Sequence, residues 1–149
     1  MKKKCVILML YCLLMSSSIL AADKSVVLVA NHQTNIEKLT PNDLKKVYLG
    51  LARKNGEVKI IPIRNHSDNV LHEVFLQHVI RMSSRYYERI LTKMTLDSGV
   101  TRPKSFKSHN QLTKEIESNN NNITYMWSTQ VENHPNLKVI QVIWRGESN

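Results

Sequence analysis

The segment Arg64-Asn65-His66-Ser67-Asp68-Asn69 holds the residues best placed to do chemistry: a polar bend between the apolar run Ile60-Ile61-Pro62-Ile63 and a helical pattern that starts at Asn69. A bend that feeds a helix start presents unpaired N–H groups and the positive end of the helix dipole, so it can hold an anion. Arg64 brings a permanent positive charge, Ser67 a hydroxyl donor and Asn69 the helix start, and these three are the candidate anion ligands. The same residues also fit a solvated turn in which Asp68 or Asn69 simply caps the helix.

A second group is charged rather than polar. Arg81, Arg85, Arg89 and Lys93 stand four apart, which lines them along one helix face, with Glu88 to one side. Like charges at that spacing cost about 0.2–0.5 kcal/mol each, so a chain that accepts them either keeps a solvated face or docks the ridge on an acidic protein or anionic surface. His66, His72 and His78 recur every six residues. Six residues turn a helix by about 240° net, so His72 and His78 fall on different faces and do not make a metal site. No Ser-His-Asp order, nucleophile elbow or glycine loop for phosphates is present, and the whole chain has four glycines. The expectation is a protein that is not an enzyme and carries neither cofactor nor metal. Nucleic acid is a poor fit, because aromatic residues are not interleaved with the basic ones.

The elements that position these residues alternate. Ser25 to Ala30 is β-branched and apolar, as a buried strand is. Thr40-Pro41-Asn42-Asp43 opens a helix, with Thr40 as cap and Pro41 in the first turn; Leu44, Val47 and Tyr48 form its inner stripe and Gly50 stops it. Asn55-Gly56 is a turn signal ahead of a strand over Val58 to Ile63. Helices follow over Asn69 to Met82 and over Ser84 to Thr95, the latter with Tyr87, Ile90, Leu91 and Met94 inward. Ser108-x-x-Gln111 caps a fourth helix, which runs to about Ser118. Ile123 to Trp127 and Lys138 to Trp144 are further strands. Strands interleaved with helices predict an α/β fold, a layered mixed sheet flanked by helices.

The front of the chain has another purpose. Lys2-Lys3-Lys4, the apolar run Val6 to Leu14 and the small residues Ala21-Ala22 read as a signal peptide over residues 1–22, cut after Ala22. The apolar stretch is short of the ~20 residues a membrane span needs, and the mature chain has no transmembrane segment. Cleavage would remove both cysteines, Cys5 and Cys12, and lower the formal net charge from +9 to +6, leaving one domain over residues 23–149. A basic exported chain of this kind suits acidic partners: small anions, headgroups or an acidic protein face.

Taken in order, several motifs resemble the substrate-binding proteins of phosphate ABC transporters. Leu39-Thr40-Pro41-Asn42-Asp43-Leu44 through Val47-Tyr48-Leu49-Gly50 is similar to that family's L-T-x-x-x-L-x-x-I-F-x-G helix. Phe75 stands at an aromatic position of the family, Arg102-Pro103 at its R-P segment, and Asn119 to Tyr125 at its N-P-G-A-I-G-Y segment. The resemblance covers about Ser25 to Val142. It implies a fold like a single lobe of a type II periplasmic binding protein, a periplasmic or secreted location, and a small phosphate-like anion as ligand, with an envelope transporter, sensor or other acidic protein as partner. Aligned on Phe75, the chain has Val70 and Leu71 where the family's phosphate loop has glycine and threonine, and Asp68 lies beside the anion position. Weak phosphate binding is therefore expected.

Overall fold

Val26, Val27, Leu28, Val29 and Ala30 are all buried, and the first strand, β1 (Ser25–Asn31), threads the middle of the molecule. Its side chains alternate between two cores. Val26, Leu28 and Ala30 pack with Leu44, Val47, Tyr48, Phe75 and Tyr125; Val27 and Val29 pack with Leu112, Ile116, Met126 and Val131. Apolar residues at every position are what a strand covered on both faces requires. The computed structural model describes residues 24–51 and 54–146, so the expected signal peptide lies outside the described residues.

Helix α1 (Pro41–Tyr48) starts as expected: the Thr40 hydroxyl accepts the Asp43 N–H at 3.1 Å, and Leu44, Val47 and Tyr48 are buried. A short hairpin follows, β2 (Lys54–Asn55) with β3 (Val58–Lys59), turning on Gly56 at φ 59°. The strand expected over Val58 to Ile63 is thus divided. Its first part pairs within the hairpin, and β4 (Ile61–Asn65) joins the main sheet.

The helix expected over Asn69 to Met82 is also divided. It begins as α2 (Asn69–Val74), widens into a π-helical segment Phe75–Ile80, and stops where Arg81 adopts φ 59°. The wider turn of a π-helix brings residues four and five apart to one side. Leu71, Phe75, Leu76 and Ile80, at those spacings, are all buried.

The remaining elements are α3 (Ser84–Ser98), capped by Ser83 and ended by Gly99 at φ 62°; β5 (Lys104–Phe106); α4 (His109–Glu117), capped by Ser108; β6 (Asn122–Trp127); α5 (Ser128–Val131); and β7 (Leu137–Arg145). The five-stranded sheet has the order β5-β4-β6-β1-β7. β4 runs parallel to β5 and β6, and β1 runs antiparallel to β6 and β7. This is the expected α/β class, a mixed sheet between helical layers.

Candidate functional site

In open α/β sheets ligands sit at the carboxyl ends of the parallel strands, where helices begin. Here that edge gathers the turn after β4, the loop after β5 and the end of β6. The turn after β4 is closed on itself. Ser67 donates both its N–H (3.0 Å) and its hydroxyl (2.6 Å) to Asn65 Oδ1, while Asn65 Nδ2 donates to the Tyr125 carbonyl at 3.0 Å. Asn69 is exposed at the first position of α2.

Asp68 is the cap. Its Oδ1 accepts the Leu71 N–H at 3.0 Å and its Oδ2 accepts the Trp127 indole N–H at 2.9 Å. Burial works to raise this carboxyl's pKa, but the donors from Leu71, Trp127 and Val70, with Lys24 nearby, outweigh it and hold the pKa below its ordinary value. The negative charge that the α2 dipole favours is thus supplied by the protein itself.

Arg64 points elsewhere. Successive residues of a strand face opposite ways, and Ile63 enters the α4 core, so Arg64 turns toward α3. It is buried, with Nε donating to the Pro103 carbonyl at 3.1 Å and a terminal nitrogen donating to Glu88 at 2.6 Å. Arg102 pairs with the other oxygen of Glu88. Of the three candidate anion ligands, Ser67 and Asn69 lie at the carboxyl edge, while the Arg64 guanidinium is spent on tying α3 and the segment before β5 to β4.

Two histidines meet at the same edge. The His66 and His72 rings lie 4.1 Å apart, and His72 Nδ1 is 2.7 Å from the Tyr125 hydroxyl. Burial first, then His66 and Arg64, push His72 down to a pKa of about 4; burial and the cations Arg64, Lys107 and Arg102 lower His66 as well. Six-residue spacing did not reveal this contact, because His66 lies in the turn rather than on the helix. Among the described residues no group of three metal-binding side chains occurs.

The basic ridge is shorter than its spacing suggests. Arg85, Arg89 and Lys93 are exposed on α3, and Arg89 lies 5.1 Å from the Tyr86 ring. Arg81 is exposed too, but it stands outside α3 in the left-handed conformation that ends the π-helical segment, so it does not extend the helical row. Glu88, to one side of the ridge in the sequence, pairs with Arg64 and Arg102 rather than with the ridge cations. The Trp127 bond to Asp68 went unseen as well, since 59 residues separate the two.

No protein-family model and no curated protein matches the chain. Solved structures do resemble it. An ABC-type phosphate transport receptor from Vibrio cholerae aligns with a TM-score of 0.59 at 14% identity, over 80% of this chain and 46% of that one. A putative phosphate ABC transporter substrate-binding protein with bound phosphate from Clostridium perfringens gives 0.59 at 11% identity, over 80% and 45%. PstS from Borrelia burgdorferi gives 0.54 at 14%, over 75% and 44%. The chain spans somewhat less than half the length of these proteins. The resemblance seen in sequence is therefore one of fold: the protein has the architecture of one lobe of a phosphate-type substrate-binding protein.

Proposed function

We propose that the protein is an exported, non-catalytic binding module of the substrate-binding-protein type, acting in the periplasm after cleavage near Ala22. Its carboxyl edge holds a small anion such as phosphate only weakly. The observation that carries this reading is the Asp68 carboxylate, which already takes the helix N–H of Leu71 and the indole N–H of Trp127 that an incoming anion would need. Any bound anion sits near Ser67, Asn69 and Lys24, without the Arg64 charge. Calorimetric titration of the mature protein with phosphate and sulfate tests it. Dissociation constants weaker than micromolar are expected, and micromolar or tighter binding would refute the reading.

A second use of the same fold is favoured by one feature. Arg85, Arg89 and Lys93 are exposed, and none takes part in an ion pair among the described residues. In this reading the α3 face docks on an acidic envelope protein such as a transporter or sensor. Crosslinking in envelope extracts followed by recovery at low and moderate salt tests it. Capture that weakens as salt rises supports docking, since exposed charges are screened over about 8–10 Å at physiological salt.

A further inference from the structure

At the end of the sheet opposite the carboxyl edge, a cavity of about 320 Å³ opens between the end of α1, the strands β3 and β4 and the segment before β5. Its wall is apolar: the half-buried Ile61 and Pro62 face the hollow, and the buried Val47, Ile60 and Pro103 lie beneath it. Its mouth carries three exposed cations, Lys59, Arg102 and Lys104. Among the described residues no carboxylate lines it. Glu88 and Glu115 pair with Arg102 and Lys104 from outside the cavity, and Lys59 has no such partner among the described residues.

The wall is held in shape. Arg64 Nε bonds the Pro103 carbonyl, and Glu88 clasps Arg64 and Arg102 together. On the other side Gly50 sits at φ 77°, so close to Val100 that a Cβ there would lie 2.4 Å from its Cγ1, locking the end of α1 against the 100–101 segment. A preformed apolar hollow with a few charges at its rim is the usual form of a small-molecule site, and preorganisation spares the ligand the cost of ordering it.

We propose that this cavity binds a small organic carboxylate with an aliphatic or aromatic body: the body packs against Ile61 and Pro62 in the hollow, and the carboxylate meets Lys59, the mouth cation without an ion-pair partner among the described residues, with Arg102 and its Glu88 partner beside it. This goes beyond the anion reading of the carboxyl edge. The two sites lie at opposite ends of β4, and a bare inorganic anion has no body to fill the hollow.

Hexanoate is the probe, with 1-hexanol supplying the body without the charge and acetate the charge without the body. Titration of the mature protein followed by two-dimensional amide NMR should move Ile60, Ile61, Thr101 and Arg102 with hexanoate. Because each half of the ligand contributes separately, hexanol and acetate should each bind about fivefold or more weaker. Lys59→Gln should weaken hexanoate about threefold, as loss of one solvent-exposed charge does, with the fold unchanged. Ile61→Trp, which fills the hollow, should abolish binding. Excess phosphate should not displace hexanoate, which separates this site from the edge. The proposal fails if those amides do not move, if hexanol binds as well as hexanoate, if Lys59→Gln binds like wild type, or if phosphate competes.

Discussion

Two cationic regions of this molecule have opposite fates. Arg64, at the head of the polar turn after β4, is buried and bound to Glu88 and the Pro103 carbonyl. Arg85, Arg89 and Lys93, on the outer face of α3, are exposed, with the Tyr86 ring beside Arg89. The turn that looks made for an anion is satisfied from within, by Asp68 at the helix end and Asn65 on Ser67. Charge type is thus a poor guide to availability; strand parity and the partners brought in from distant segments decide which charges remain free.

The comparison breaks most sharply at Arg64. Arg64→Ala removes two charge-assisted bonds and leaves the buried Pro103 carbonyl unpaired, which should cost about 3–4 kcal/mol in urea unfolding. A loss below 1 kcal/mol would mean that the Glu88 clasp is not structural. Smaller, but still large, is the response to acid. The pKa of His72 is about 4 in the folded protein, against an ordinary value of 6.5. Its stabilising effect is therefore complete above about pH 6.5 and is lost as pH falls toward 4, because the unfolded chain takes up the proton first. His66 shifts the same way, with Arg64, Lys107 and Arg102 facing it, and Asp68 adds its own loss only at still lower pH. The drop from pH 7 to 4 should be on the order of 2–3 kcal/mol. His72→Phe should flatten it, and an unchanged acid limb in that variant would assign the loss to other groups. At the small end, Arg85→Gln with Arg89→Gln should leave unfolding within about 0.5 kcal/mol of wild type, as exposed changes do. The same pair should reduce partner recovery at low salt, and equal recovery would leave α3 an ordinary solvated face.

Much of this was legible in the sequence. The unbroken Val26 to Ala30 run declares a strand buried on both faces, and Thr40-Pro41 and Ser108-x-x-Gln111 mark two helix starts correctly. Short elements were not legible. β5 is only Lys104-Ser105-Phe106, with no apolar run of its own, and it exists because β4 offers it an edge. The π-helical segment escaped because a strict 3.6-residue period fits Asn69 to Met82 well enough until the burial of Phe75 and Leu76 together is known. At the candidate site, the composition of the turn was visible, but its state was not. The contacts that decide it come from Trp127, Glu88 and Tyr125, each at least 24 residues from its partner in the turn or strand.

The central claim is that the Asp68 carboxylate occupies the place of an external anion, and phosphate titration of wild type beside Asp68→Asn tests it most directly. Asparagine still caps the helix, so the variant keeps its fold while losing one negative charge at the site. Removing a unit charge a few ångströms from the ligand in a partly solvated turn should tighten phosphate binding about tenfold, with the Trp127 fluorescence responding to phosphate as the indole gains a new acceptor. If Asp68→Asn binds phosphate no better than wild type, the carboxylate is not what keeps the anion out, and the account of this edge is wrong.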